Sequence, residues 1–300
     1  MNLENCKTNS LDTAGQRGLS GCVLKMIAVI TMLVDHTAAT IVERLIVQMP
    51  SWGPVTMQNQ EAWTQFYMLL RGIGRMAFPI YCFLLAEGFY HTKNKAKYAL
   101  RLFVFALISE VPFDMAFQMN FFDISYNNVF FTLLMGLLTI WAYDELRKRA
   151  ELRRASAMPM VGEASGKAST VSMPGDAAGK KGFSYGSWVF SGVLWSLVLA
   201  AVPLLGCGLA YLLRTDYDAA GVLAIFIMYL FYERRQLGFG LMVLSLGILA
   251  GELEFLAFFM LIPMKFYNGT RGRQMKYFFY WFYPVHLLIL SLICMALGLG

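Results

Sequence analysis

The chain has 300 residues, of which 58% are hydrophobic and only 15% are charged. Soluble domains are about half apolar and about a quarter charged, so this composition indicates an integral membrane protein. The net charge of +6 does not indicate a nucleic-acid partner, because the basic residues collect in short stretches between apolar runs. The five cysteines have no metal-ligand spacing, and no metal is expected.

Nine apolar segments predict membrane-spanning helices, since a helix needs about 20 mostly apolar residues to cross a bilayer. They are residues 22–43, 65–90, 97–117, 127–144, 186–212, 217–232, 237–250, 253–266 and 277–298. Helices are expected because lipid offers no hydrogen bonds to an open backbone. The predicted fold is therefore an all-α, polytopic transmembrane helix bundle.

The loops between these segments alternate in basic content. Those rich in Lys and Arg follow one parity, which predicts a cytoplasmic N-terminus and an external C-terminus. Residues 1–21 form a polar cytoplasmic segment. One integral membrane domain, residues 22–146 and 183–300, is interrupted by residues 147–182. That insert is rich in Ala, Gly, Ser and Lys, which predicts a flexible cytoplasmic loop.

The first predicted span carries an unusual pair, Asp35 and His36. A charge at the middle of a membrane costs about 2.5–3.5 kcal/mol on insertion scales, so such residues are functional candidates. At about 1.5 Å per residue, His36 lies about 21 Å from the cytoplasmic end of its helix, in the outer half. Arg71 and Arg75 of the second span lie at a similar depth, and their spacing places both on one face. Asp35 is expected to pair with one of them.

Three further polar residues fall in the outer half, and the whole set predicts one polar cavity there: Glu110, Asn128 and Asp216. The alternative, structural ion pairs between helices, stays open for four charged residues: Arg71, Arg75, Glu110 and Glu87. For His36 the alternative is a core histidine bonded to a neighbouring carbonyl.

A second polar group is expected near the cytoplasmic face. Residues 266–272 form a glycine-marked turn with a basic residue, and Arg matches phosphate oxygens with a forked donor set. The group consists of Glu87, His91, Tyr267, Asn268 and Arg271. His286 lies about 14 Å from the cytoplasmic end of the last span, between the two groups. Pro284 before it predicts a local kink.

Several separated blocks of this sequence resemble the TraX family, named for the protein required to acetylate F pilin. The blocks follow one another along almost the whole chain: Leu24-Lys25-Met26-Ile27-Ala28, Asp35-His36, Arg71 to Arg75, Phe78-Pro79-Ile80, Glu87-Gly88-Phe89, Asn128, Asp216-Tyr217, Tyr267-Asn268-Gly269, Arg271-Gly272 and Phe282-Tyr283-Pro284 with His286-Leu287. One departure is Asp218, where the family pattern is expected to have glycine.

The resemblance implies a membrane-bound acyltransferase of the bacterial inner membrane, distantly similar to the acyltransferase-3 and heparan-glucosaminide acetyltransferase groups. Cytoplasmic acetyl-CoA would be the donor, bound by the second polar group. The acceptor, an amine or hydroxyl at or across the membrane, stays open between a pilin N-terminus, an envelope glycan and a small metabolite.

For the reaction that the resemblance implies, His36 is the expected base and Asp35 tunes it. Arg71 and Arg75 would stabilise the oxyanion or an acidic group of the substrate, and His286 is the alternative base. Intramembrane acids and bases also form ion paths, so a proton- or ion-coupled transporter is the alternative function. An assembly factor without catalysis is a third.

Overall fold

A computed structural model describes residues 18–157, 185–273 and 275–299. Eleven α-helices occur in these ranges: α1 (Gly21–Thr37), α2 (Glu43–Gln48), α3 (Gln60–Gly74), α4 (Ala77–His91), α5 (Lys95–Phe117), α6 (Val129–Ala157), α7 (Tyr185–Leu212), α8 (Asp218–Leu230), α9 (Arg235–Leu249), α10 (Leu261–Lys265) and α11 (Lys276–Ala296). A π-helical turn (Ala38–Val42) joins α1 to α2, and 3₁₀ segments cover Tyr232–Arg234 and Glu252–Met260. The described chain has only two isolated β-bridges and no strand. The all-α prediction is confirmed.

Five helical segments are long and apolar enough to cross a membrane: Gly21–Gln48, Gln60–His91, Val129–Arg153, Gly192–Leu212 and Tyr277–Ala296. The chain is thus a multi-spanning membrane protein. The count of nine spans and the orientation of the termini stay predictions.

The second predicted span, residues 65–90, is divided into α3 and α4 by a turn at Arg75 and Met76. Gly72 and Gly74 weaken the end of α3, and Pro79 lies in the first turn of α4, where its missing N–H costs little. This turn places the Arg75 side chain between elements instead of along one helix face.

Two further segments differ from their predictions. Much of the predicted span 253–266 is 3₁₀-helix instead of α-helix. The start of the predicted loop 147–182 is helical as far as Ala157, where ion pairs four residues apart, Arg147 with Glu151 and Lys148 with Asp144, stabilise the helix. Residues 158–182 of that loop and residues 1–17 of the predicted N-terminal segment lie outside the described ranges.

The core lies between α1, α4, α6, α8 and α9. Its largest fully buried side chains include Phe83, Phe89, Phe239, Ile225 and Met228. Helix α7 is different, because its leucines face outward, as expected of a surface in contact with lipid.

The start of α1 is held by the loop that follows α10. The main-chain N–H of Gly21 donates to Thr270, and Leu19 forms a β-bridge with Tyr267. Gly272 has a φ of +64°, and a Cβ there would strike Ser20, so this turn needs glycine. The contact brings the loop 266–273 to the same end of the bundle as the end of α4.

Candidate functional site

A cavity of about 660 Å³ opens at one end of the bundle; because the orientation predicted from the sequence makes this the external end, we call it the outer cavity. Its polar lining comes from the end of α1, the turn between α3 and α4, the loop before α8 and the 3₁₀ segment at Glu252–Met260. It contains the predicted residues Asp35, His36, Arg71, Arg75 and Asp216. These five residues come from distant segments of the chain and line one cavity.

Asp35 is held by both arginines. Its Oδ2 lies 2.7 Å from Arg71 Nη1, and its Oδ1 lies 3.1 Å from Arg75 Nη2. Arg75 also reaches Glu254, with 3.1 Å between Nη1 and Oε1. Glu254 is 2% exposed, so Arg75 is enclosed between two carboxylates, whereas Arg71 has one ion-pair partner among the described residues.

His36 and His286 form a direct pair. Nδ1 of His36 lies 2.7 Å from Nε2 of His286, with the two rings nearly parallel. Nδ1 of His286 lies 2.7 Å from the main-chain oxygen of Phe282. A carbonyl oxygen only accepts, so His286 donates from Nδ1, and in its neutral form it accepts at Nε2 from His36. Neutral His36 therefore keeps the lone pair of Nε2 for a ligand.

The backbone after His36 is a π-helical turn, a feature that often occurs at functional sites. Thr40 Oγ1 donates to the His36 oxygen over 2.6 Å, which satisfies a carbonyl in this wide turn. Tyr283 and Phe117 meet the His36 ring edge-on. The ring is thus fixed on several sides.

Two further acidic residues of the outer cavity lie at the start of α8 and in the loop before it: Asp218 and Asp216. Tyr126 donates its hydroxyl to Asp216 Oδ1 over 2.5 Å. Burial raises the pKa of the Asp216 carboxyl, which lies between α7 and α8, outside the candidate spans. Asp218 also lines the cavity and has a φ of +42°, a region that favours glycine.

Glu110 and Asn128 are placed differently from the other predicted outer residues. The Asn128 side chain donates to Glu110 Oε2 and, over 2.8 Å, to the oxygen of Ala106. Neither residue belongs to the lining of the outer cavity. Their geometry is that of a buried polar contact between α5 and the start of α6.

A second cavity, of about 450 Å³, opens at the other end of the bundle; we call it the inner cavity. Glu87, His91, Tyr267 and Arg271 line it, as predicted for the second polar group. Asn268 lies beside it and shapes the turn, because its Oδ1 accepts from the N–H and the hydroxyl of Thr270.

The predicted residues of the inner cavity contact one another. The Tyr267 hydroxyl lies 2.6 Å from both carboxylate oxygens of Glu87. His91 Nδ1 lies 2.9 Å from the Glu87 main-chain oxygen, and Arg271 Nη2 lies 3.4 Å from that of His91. The end of α4 is thus joined to the loop before α11.

The two cavities share one wall. Four residues line both: Met32, Tyr81, Val129 and Tyr283. Tyr283 also touches both histidine rings edge-on. The histidine pair therefore lies directly beside the partition between the two cavities.

Several lining residues were missed from the sequence. Tyr126, Tyr217 and Glu254 line the outer cavity, and Arg101 and Arg273 line the inner one. The position of Arg101 could have identified it as a candidate, since it is a charged residue within a predicted span. The position of Glu254 was less informative, because an acidic residue at the edge of a span is typical of loops.

An all-helical bundle with polar cavities at opposite ends of its helices defines a multi-spanning membrane protein with two separate openings. The chain belongs to the TraX family, whose model, described as TraX protein, matches residues 20–169 and 187–294. It is 30% identical over 294 residues to a Dichelobacter nodosus protein named "Probable fimbrial assembly protein FimC, serogroup H1". The aligned region covers 91% of this chain and 93% of that protein. No solved structure matches the chain.

Proposed function

We propose that this protein is a membrane acyltransferase of the bacterial inner membrane. It would move an acetyl group from acetyl-CoA to an acceptor amine or hydroxyl at or across the membrane. The observation that best supports this is the shared wall of the two cavities beside the His36–His286 pair. A donor in the inner cavity and an acceptor in the outer one would meet there.

The donor is assigned to the inner cavity because of its residue types. Arg271, with Tyr267, Glu87 and His91, would hold the polar end of acetyl-CoA, and Asn268 would support the turn. The pantetheine arm would then extend along the apolar part of the cavity toward Tyr283, which brings the thioester to the wall.

His36 is the proposed base. Its free Nε2 would take the proton of the acceptor as the acceptor nitrogen or oxygen attacks the thioester carbon. A C–N or C–O bond forms, the C–S bond breaks, and the proton passes from His36 to the leaving sulfur. The products are the acetylated acceptor and CoA with a free thiol.

The oxyanion of this step needs a fixed positive or donor group. Arg71 suits this role better than Arg75, because Arg75 is already enclosed by Asp35 and Glu254. Asp35 would fix the position of Arg71, and its negative charge would set the electrostatic potential at His36. Asp216, which also lines the outer cavity, would contact the acceptor.

A pilin is supported as the first acceptor to test by two observations. The TraX resemblance implies pilin acetylation, and the Dichelobacter relative is named a probable fimbrial assembly protein. A pilin N-terminus is therefore the first acceptor to test, before an envelope glycan or a small metabolite. Mass spectrometry of envelope proteins and glycans from a strain lacking this protein should show which acetyl group is lost.

The central experiment uses the purified full-length protein in detergent. We expect acetyl-CoA to raise the melting temperature, whereas GTP should not. The His36→Ala variant should insert and melt normally but lose acetyl transfer by about 100-fold or more. Thr37→Ala is the matched control, since the Thr37 hydroxyl bonds only to its own helix at Leu33.

Two results would contradict the proposal in different ways. Near-normal transfer by His36→Ala would remove His36 from the role of base. An absence of stabilisation by acetyl-CoA, together with substrate-coupled proton flux in liposomes, would favour a transporter instead.

A further inference from the structure

The inner cavity is strongly basic. Four cationic side chains line it, against one carboxylate: Lys25, Arg101, Arg271 and Arg273 against Glu87. Among the described residues, none of the four has an ion-pair partner. The single carboxylate is already engaged by Tyr267. The outer cavity differs in this respect, because both of its arginines, Arg71 and Arg75, have carboxylate partners.

Arg101 is the most unusual of the four. It lies six residues into α5, about 9 Å from the start of that helix. Its guanidinium lies over the Tyr98 ring, 5.8 Å from the centroid, and beside the Tyr280 hydroxyl. Its Nε is buried without a hydrogen-bond partner. A guanidinium with an unused donor at this depth is costly unless an anion joins it.

The cations lie at two levels. Arg101, whose Nε is buried, lies at the inner level. Lys25 is four residues into α1, and the charges that act on it are those of Glu87 and Arg271, so it lies on the side of the mouth. Arg271 and Arg273 lie on the loop before α11, at the mouth of the cavity. Gly269 and Gly272, both with positive φ, shape that loop. A ligand with two separated anionic groups would satisfy both levels at once.

We infer that the inner cavity binds a ligand with two phosphate centres, one held by Arg101 and the other at the mouth by Arg271 and Arg273. This inference rests on the proposed function, in which the ligand is acetyl-CoA. The thioester must reach the wall, so the diphosphate, which is linked directly to the pantetheine arm, lies at the inner level. The 3′-phosphate of the ribose then lies at the mouth.

The test measures binding of acetyl-CoA and of 3′-dephospho-acetyl-CoA to the full-length protein in detergent. The wild type should bind acetyl-CoA about tenfold or more tightly than the dephospho form. Arg101→Met should weaken both ligands by about 10- to 100-fold and preserve their ratio. Arg273→Met should weaken only acetyl-CoA and so reduce the ratio of the two affinities, because Arg271 still contacts the 3′-phosphate. Lys93→Met removes an exposed charge outside the cavity and should change neither.

The melting temperature without ligand separates a binding role from a folding role. Arg101 is partly exposed and has no ion-pair partner among the described residues, so Arg101→Met should leave this temperature unchanged or raise it. Arg101→Lys keeps the positive charge but loses the paired N–H donors of the guanidinium. Its affinity for both ligands should lie between those of the wild type and Arg101→Met. If Arg101→Met binds both ligands as the wild type does, or alters their ratio while Arg273→Met does not, the two-level assignment is wrong.

Failure of the proposed function gives a different result. If the wild type binds neither form of acetyl-CoA but binds phosphatidylglycerol vesicles in an Arg101-dependent way, the anion site is a lipid site. The acyltransferase proposal and the nucleotide assignment then both fail, and only the inner anion contact stands. If none of these three probes binds, the inference fails entirely.

Discussion

Gly74 packs directly against the side chain of Asp35: a Cβ added to Gly74 would overlap the Cβ, Cγ and Oδ1 atoms of Asp35. The close approach of α3 to α1 therefore depends on the absence of a side chain at this position. It is also what allows Arg71 and Arg75, on either side of Gly74, to reach the same carboxylate.

Gly74→Ala should destabilise the protein by about 1–3 kcal/mol, because the added methyl group forces Asp35 and the two helices apart. Thermal unfolding in detergent measures this. Gly208→Ala on α7 is the control, since no atom lies within 4 Å of a Cβ there, and alanine should leave the stability unchanged or raise it. Equal melting temperatures for Gly74→Ala and the wild type would argue against the close packing.

His286 acts through His36, so we expect a positioning effect. His286→Ala removes the acceptor for the Nδ1 proton of His36, which frees the ring to change tautomer and orientation. Acetyl transfer should fall about 10- to 100-fold in kcat, with little change in KM. His286→Gln restores one acceptor oxygen and should recover part of the rate. A purely structural role would instead show loss of folding and no difference between the two variants.

Arg75 and Arg71 should differ in their effect on stability. Arg75→Met leaves Asp35 and Glu254 as neighbouring buried carboxylates and should cost about 3–5 kcal/mol. Arg71→Met leaves Asp35 paired with Arg75, so it should cost less, about 1 kcal/mol. Unfolding of the two variants in parallel measures the difference; equal losses would contradict the bridging role of Arg75.

Asp216 should make the stability depend on pH. Burial raises its pKa above the usual value, so the folded chain binds this proton more tightly than the unfolded chain. Its contribution to stability is therefore largest at low pH and is lost as the pH rises through the folded-state pKa. Asp216→Asn should remove this fall, measured as the melting temperature from about pH 4 to about pH 7.

Asp123 provides a control of opposite sign. Its hydrogen bonds from Ser125 lower the pKa of its carboxyl, so its contribution is present at higher pH and is lost as the pH falls. If Asp216→Asn and Asp123→Asn shift the pH dependence in the same direction, the argument from burial at Asp216 is wrong.

The charge cluster was predictable from the sequence, while the histidine pair was not. Depth along each helix and the spacing of four residues brought Arg71 and Arg75 to the level of Asp35, and the ion pairs confirm it. The same count placed His36 and His286 about 7 Å apart in depth, yet their rings are in contact. Counting residues gives the depth of a Cα atom along its own helix, and it includes neither the tilt of the helix nor the reach of the side chain.

Two other features, the turn at Arg75 and the backbone conformation of Asp218, depend on local backbone geometry, which a hydropathy pattern does not reveal. The apolar run 65–90 reads as continuous, although the structure turns at Arg75. Asp218 is a clearer case. Glycine was expected from the family pattern, and the φ of +42° gives the reason, because aspartate is one of the few other residues that tolerate this region.

The wall of Met32, Tyr81, Val129 and Tyr283 has an electrical consequence. If water fills both cavities, each carries the potential of its own side nearly to this partition. The membrane voltage then falls across a few side chains instead of across about 30 Å of hydrocarbon. A unit charge crossing beside His36 and His286 would experience nearly the full voltage, about 2.3 kcal/mol per 100 mV.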